Sequence, residues 1–131
     1  MNGASEIYKV LVANTTIQGL VSKTGTAPNI VYKIAASIVE PSGWGVADST
    51  LTIYQVGSES AADVYDVNHA VNCRASTEKK AKELAQAVKA ALHRVTFSNI
   101  GFVCFIEPVI PPQDDTDNFN APVTVRVIGT K

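Results

Sequence analysis

Between Val64 and Ala75 the chain alternates. Val67, His69, Val71 and Cys73 fall on one set of positions, and Asp66, Asn68, Ala70, Asn72 and Arg74 on the other. A period of two marks a strand with one buried face, and the mostly apolar set with Tyr65, Val67, Val71 and Cys73 predicts which face turns inward. The period then changes. Ala81, Leu84, Ala85, Val88, Ala91, Leu92 and Val95 recur at steps of three and four, which predicts an amphipathic helix from Thr77 to about Val95. Ser76 is the expected N-cap, Glu78 sits in the first turn, and His93 and Arg94 lie in the last, where the helix dipole favours each charge. The stripe is rich in alanine, so the helix can lie close against a sheet.

The remaining elements are shorter. Residues 4–13 predict a helix with Ile7, Val10 and Leu11 on one face and Ser5 as cap, and residues 14–21 a further helical turn capped by Thr15 or Thr16. Residues 23–29 read as loop. Strands are expected at 29–39 and 51–57, separated by a long turn at 40–50 that holds Pro41, Gly43 and Gly45. GFVCFIEPVI predicts a strand that ends at Pro111 and Pro112. In the last strand Val123, Val125 and Val127 face one way, Thr124 and Arg126 the other. The order α, β, β, β, α, β, β with short links predicts one α+β domain over residues 1–131. Its sheet is mostly antiparallel with four to five strands, one long helix on one face and a short N-terminal helix.

Composition narrows the function. At 131 residues and 46% hydrophobic, the chain is long enough and apolar enough for one real core. The formal net charge is −1, so nothing global calls for nucleic acid or an anionic membrane. No apolar run reaches the roughly 18 residues of a membrane helix. The first residues carry no basic segment ahead of a long apolar one, so no secretion signal is expected. Two cysteines in such a chain suggest reduced thiols and a cytoplasmic origin.

Charge is nonetheless segregated. Residues 76–95 hold Lys79, Lys80, Lys82, Lys89 and Arg94 against Glu78 and Glu83, while the loop 111–122 carries Asp114, Asp115 and Asp117. The lysines have no aromatic residues interleaved with them, which argues against a nucleic-acid surface. The aspartates lack the central Gly and the twelfth-position Glu of a calcium-hand loop. His69 and Cys73 share a face, but four strand residues put them about 13 Å apart, too far for a base and its nucleophile. No Ser-His-Asp set, phosphate-cradling loop or zinc spacing occurs, so no catalytic, metal or cofactor residue is expected. The polar positions Asp66, Asn68, Asn72 and Arg74 predict a sheet face open to water or to another subunit. With Lys79, Lys82, Arg94, Asp114, Asp115 and Asp117 they form the candidate contact set, the basic helix of one copy near one edge meeting the acidic loop of the next, which is expected near the other edge or toward the lumen of a ring.

The run IYQVGSES, then the polar-alternating strand ending in RASTEKKAKELAQAVKAALHR, then a strand, an acidic loop and a terminal VTVRV strand resembles the tail terminator (tail-completion) proteins of long-tailed bacteriophages and prophages. The likeness covers residues 50–131 best, and EPSGWGVADST is a longer turn than that pattern has. The resemblance implies a non-enzymatic virion assembly protein that closes into a ring, typically of six copies. The ring caps the head-proximal end of the tail tube, ends its polymerisation and meets the head–tail connector protein. The implied partners are further copies of the chain, the tail tube protein and the connector, and the implied location is the virion tail, assembled in the host cytoplasm. Competing expectations are another neck or minor tail component, and a small α+β ligand-binding domain or enzyme using His69, Arg74 or the acidic loop.

Overall fold

A computed structural model describes residues 3–33, 44–45, 48–56, 64–93, 95–97, 102–106, 113–114 and 119–130; of residues 33, 64–65, 96–97, 102–106, 113–114 and 129–130 only the backbone is described. The chain is α+β. Helices α1 (Gly3–Ala13), α2 (Thr15–Leu20) and α3 (Glu78–Leu92) accompany strands β1 (Lys23–Thr24), β2 (Ala27–Pro28), β3 (Ile30–Lys33), β4 (Thr50–Gln55), β5 (Val64–Ala75), β6 (Thr96–Phe97), β7 (Phe102–Ile106), β8 (Gln113–Asp114) and β9 (Phe119–Thr130).

Caps set the helix boundaries. The N-cap of α3 is Thr77 and not Ser76: Thr77 has extended backbone, and its Oγ1 accepts from Lys80 N at 3.2 Å. At α2 the cap is Asn14, whose Oδ1 accepts from Ile17 N at 3.0 Å. The same residue closes α1 by donating its own N–H to Leu11 O, so one asparagine ends one helix and starts the next and neither Thr15 nor Thr16 caps. Residues 23–29 are not plain loop. They form the β1–β2 hairpin, with Lys23 opposite Pro28 and Thr24 opposite Ala27, and Gly25 turns it at φ 65°, a conformation that favours glycine.

The main sheet has the order β3-β4-β5-β9-β7-β6, with β8 also on β9. This is wider than four to five strands, because β6 and β8 contribute only two residues each and leave no alternation to read. Its centre is the β5–β9 pair, antiparallel and continuous from Val64 opposite Thr130 to Ala75 opposite Phe119. One pairing departs from expectation: β3 and β4 run parallel, Ile30 beside Leu51. A parallel pair needs a crossover rather than a tight turn, which accounts for the length of the segment 34–49. The strand expected over 34–39 and the middle of that turn lie outside the described residues.

One face of the sheet carries the helices. Leu51 and Ile53 of β4, Val67, Val71 and Cys73 of β5, and Ala121, Val123, Val125 and Val127 of β9 are buried there against Ile7 and Leu11 of α1 and Ala81, Leu84, Ala85, Val88 and Leu92 of α3. Helix α3 lies over β9 and β5, and α1 over β3 and β4. Tyr8 of α1 and Tyr32 of β3 meet at 5.0 Å between ring centroids, an aromatic contact that ties the first helix to the edge strand.

Candidate functional site

The face of the sheet away from the helices carries the polar set, and register arranges it in rows. Thr50, Arg74 and Asn120 share one row, Thr52, Asn72 and Pro122 the next, and Tyr54, Ala70 and Thr124 the third. Val56 donates its N–H to Asn68 O, extending the series to a row of Val56, Asn68 and Arg126. Alternation makes this arrangement inevitable once β4, β5 and β9 pair in register.

The rows differ in exposure. Asn68 and Arg126 are exposed and Val56 is 51% exposed. Here Arg126 makes a two-pronged ion pair with Asp66, Nε to Oδ1 at 2.9 Å and Nη2 to Oδ2 at 2.7 Å. The Arg126 hydrogen bond holds the Asp66 carboxyl below its ordinary range. At the other end Thr50, Thr52, Ala70 and Asn72 are buried. Asn72 Nδ2 donates to Asn120 Oδ1 at 3.0 Å, and Arg74 Nη2 to Gly45 O at 2.7 Å. The face expected to be open over its whole length is thus open only around Asp66, Asn68 and Arg126. Asn72 is closed off from solvent, and its amide is satisfied there by the cross-strand bond to Asn120.

The other candidates lie elsewhere. Lys79 and Lys82 are exposed on α3, on the helix side of the molecule. Asp114 stands opposite Phe119, which stands opposite Ala75. Two strand spacings place its backbone about 10 Å from Ala75, at the end of the sheet from which α3 starts. The backbone of Asp114 and the first turn of the basic helix therefore lie toward the same end of the β5–β9 pair. Arg94, Asp115 and Asp117 lie outside the described residues.

His69 and Cys73 are both fully buried on the helix face. Burial pushes the His69 imidazole down to about 4 and the Cys73 thiol well up. Cys73 and Cys104 are not neighbours. Cys73 is level with Ala121 and Cys104 with Val127, on opposite sides of β9, so they are offset by about 20 Å along the strand. Among the described residues no three His, Cys, Asp or Glu side chains gather to hold a metal, and no helix is long and apolar enough to cross a membrane.

Sequence reasoning missed Arg126 as the partner of Asp66; both positions were legible as polar, but pairing needed the β5–β9 register. It also missed Asn29, which is buried. Its side chain accepts from Thr24 Oγ1 at 2.8 Å and donates to Asp48 Oδ2 at 3.2 Å, while its backbone joins Ser22 and Leu51. No periodicity signals such a hub.

No family model matches the chain, and no curated protein matches it. Among solved structures, the fold is similar to that of a chain in the virion of a native gene transfer agent particle. That chain is 18% identical, with a TM-score of 0.68 over 98% of this chain and 95% of the other. At this identity the likeness is one of fold.

Proposed function

We propose that this chain is a structural protein of a phage-like particle, and within that class a tail terminator. Copies close into a ring, six as in the family the sequence resembles. The ring seats on the head-proximal end of the tail tube, stops its growth and presents the surface that meets the head–tail connector. The observation that carries the reading is the end-to-end likeness of fold to a virion chain, 98% of one and 95% of the other. The order of elements over 50–131 supports it independently. An assembly role also suits side chains whose reactive groups are sealed: His69 and Cys73 both face the helix-side core.

In the ring, the exposed end of the polar face, Asp66, Asn68 and Arg126, and the exposed Lys79 and Lys82 are the contacts we assign to neighbouring copies or to the tube. Exposed ion pairs contribute at most about 1 kcal/mol each, so apolar contact supplies most of the interface energy. Light scattering behind a sizing column, with negative-stain imaging, tests the reading. The expected result is a closed ring near six times the 13.9 kDa chain mass, or a monomer that caps purified tail tubes when mixed with them. A monomer that leaves tube ends bare overturns the terminator role, and binding to the connector alone moves the chain to another neck component.

A further inference from the structure

Residues 23–28, between α2 and β3, form a hairpin that is a sheet of its own. Lys23, Thr24, Gly25, Thr26 and Ala27 are all exposed. Residues this small and polar bury little apolar surface, so apolar packing cannot hold the hairpin in place. A polar knot at its base does. Asn29, 1% exposed, donates its N–H to Ser22 O at 2.9 Å and accepts at its own carbonyl from Leu51 N at 3.0 Å. Its side chain accepts from Thr24 Oγ1 at 2.8 Å and donates to Asp48 Oδ2 at 3.2 Å. Ser22 in turn donates its N–H to Ser49 O at 2.9 Å, and its Oγ accepts from Ser49 N at 2.9 Å. A buried amide is costly unless it is bonded, and both ends of this one are. The hairpin is thus exposed yet fixed in orientation, and a pre-ordered element loses little freedom when it docks.

The hairpin sits at one end of the main sheet. β2 leads through Asn29 into β3, and Asn29 and Ser22 bond to Leu51 and Ser49 where β4 starts. The exposed part of the polar face is at the other end, where Val56, Asn68 and Arg126 share a row. From Ser49 to Val56 is about 23 Å along an extended strand, so the hairpin of one chain does not reach that row in the same chain. The row is chemically mixed. Val56 is 51% exposed and, with Tyr32, is one of the exposed large apolar residues among those described. Asn68 offers an exposed amide. Each carboxylate oxygen of the adjacent Asp66 holds one bond from Arg126 and keeps a further lone pair. The hairpin carries the matching groups: small residues to lie on the valine, the Thr26 hydroxyl for the amide, and the Lys23 ammonium, its single charge, for Asp66.

We propose that the β1–β2 hairpin of one copy docks on the Val56, Asn68 and Asp66 end of the polar face of the next copy. Two different patches at opposite ends of one sheet make a heterologous contact, which repeats head to tail and closes into a ring when the rotation allows. The inference rests on the ring of the proposed function and deepens it, by assigning the exposed end of the polar face to the neighbouring copy.

Disulfide trapping tests it. Thr26→Cys and Asn68→Cys are combined in a Cys104→Ala background. Cys73 is fully buried, and that burial keeps its thiol protonated and out of the exchange. Oxidation of dilute protein is expected to give a ladder of covalent multimers that ends at the ring, while either single variant gives nothing larger than a dimer. Thr26→Arg and Asn68→Arg, both at exposed positions, are each expected to drop the mass in light scattering from the ring to the 13.9 kDa chain, with circular dichroism unchanged. If the wild type closes only on tube ends, trapping and capping by the same variants are read there. Absence of the ladder, or assembly that persists in both Arg variants, overturns the inference and leaves the tail reading standing. A wild type that neither closes into a ring nor caps tubes overturns both.

Discussion

Arg126 reaches diagonally across the β9–β5 pair to grip Asp66 with two parallel hydrogen bonds, at 2.9 and 2.7 Å, although Asn68 is the residue directly opposite it in register. A two-pronged guanidinium–carboxylate contact is the strongest form an exposed pair takes, yet solvent and salt still screen it. The hydrogen bond lowers the folded Asp66 pKa. A carboxyl with a depressed folded pKa contributes stability above its unfolded value and loses it as pH falls through the folded one. Asp66→Asn should therefore slightly lower the melting temperature at neutral pH and flatten its decline in acid below the ordinary carboxylate range. Thermal melts from pH 2 to 7, at low and high salt, check both the sign and the screening.

A second titration has the opposite chemistry and a different window. The His69 imidazole is buried among valines and is held down to about 4 from an ordinary 6.5. Burial disfavours its charged form, so the unfolded chain binds the proton more tightly. Stability should be full above about pH 6.5 and fall as pH drops toward 4, by up to on the order of 3 kcal/mol. His69→Leu, which keeps an apolar group of similar volume on the core face, should remove the dependence in that window while leaving the lower-pH decline due to carboxylates. Denaturant melts at pH 7, 5.5 and 4.5 on both proteins decide it; a wild-type stability flat over this range would place the imidazole in water.

These two residues mark what the sequence made legible. Strict alternation put His69 inward and Asp66 outward, and β5 came out with its bounds intact because twelve residues of one pattern leave little room for error. The stripe on α3 was equally readable, five of its seven expected positions being buried and Ala91 half-buried, but the helix stops at Leu92 with His93 as its C-cap, so the half-buried Val95 lies beyond it. What failed was whatever depends on partners distant in sequence. The parallel β3–β4 pairing, the two-residue strands β6 and β8, and the contacts of Asn29 to Asp48 and of Arg74 to Gly45 carry no periodic signal. Burial of Asn72 failed for the same reason: alternation assigns a residue to a face but is silent on what covers that face.

Two glycines with equally open surroundings should respond oppositely to alanine. A Cβ at Gly19 or at Gly25 would meet nothing within 4 Å. Gly19 lies inside α2, where glycine costs backbone entropy and alanine is the better helix former, so Gly19→Ala should stabilise by about 0.5–1 kcal/mol. Gly25 sits at φ 65° in the β1–β2 turn, where an L side chain is strained, so Gly25→Ala should destabilise by about 1 kcal/mol. Chemical denaturation with a common slope separates the two, and effects of the same sign would refute the conformational argument.

The alanines of α3 provide the sharpest test of how helix and sheet fit. Ala81 and Ala85 are buried on the stripe that lies over β9 and β5, beside Leu84, Val88 and Leu92. If their size sets the spacing between helix and sheet, a larger apolar residue should harm the fold even though it is more hydrophobic and nearly as good a helix former. Ala85→Leu should destabilise by about 1–3 kcal/mol through overpacking. Leu84→Ala, one position away, should cost about 2–5 kcal/mol by opening a cavity. Ala90 is exposed on the same helix, and Ala90→Leu should fall within about 0.5 kcal/mol of wild type. Urea melts of the three variants check the ordering. If Ala85→Leu matched Ala90→Leu, the alanine stripe would not be setting the distance at which α3 rides over the β5–β9 pair.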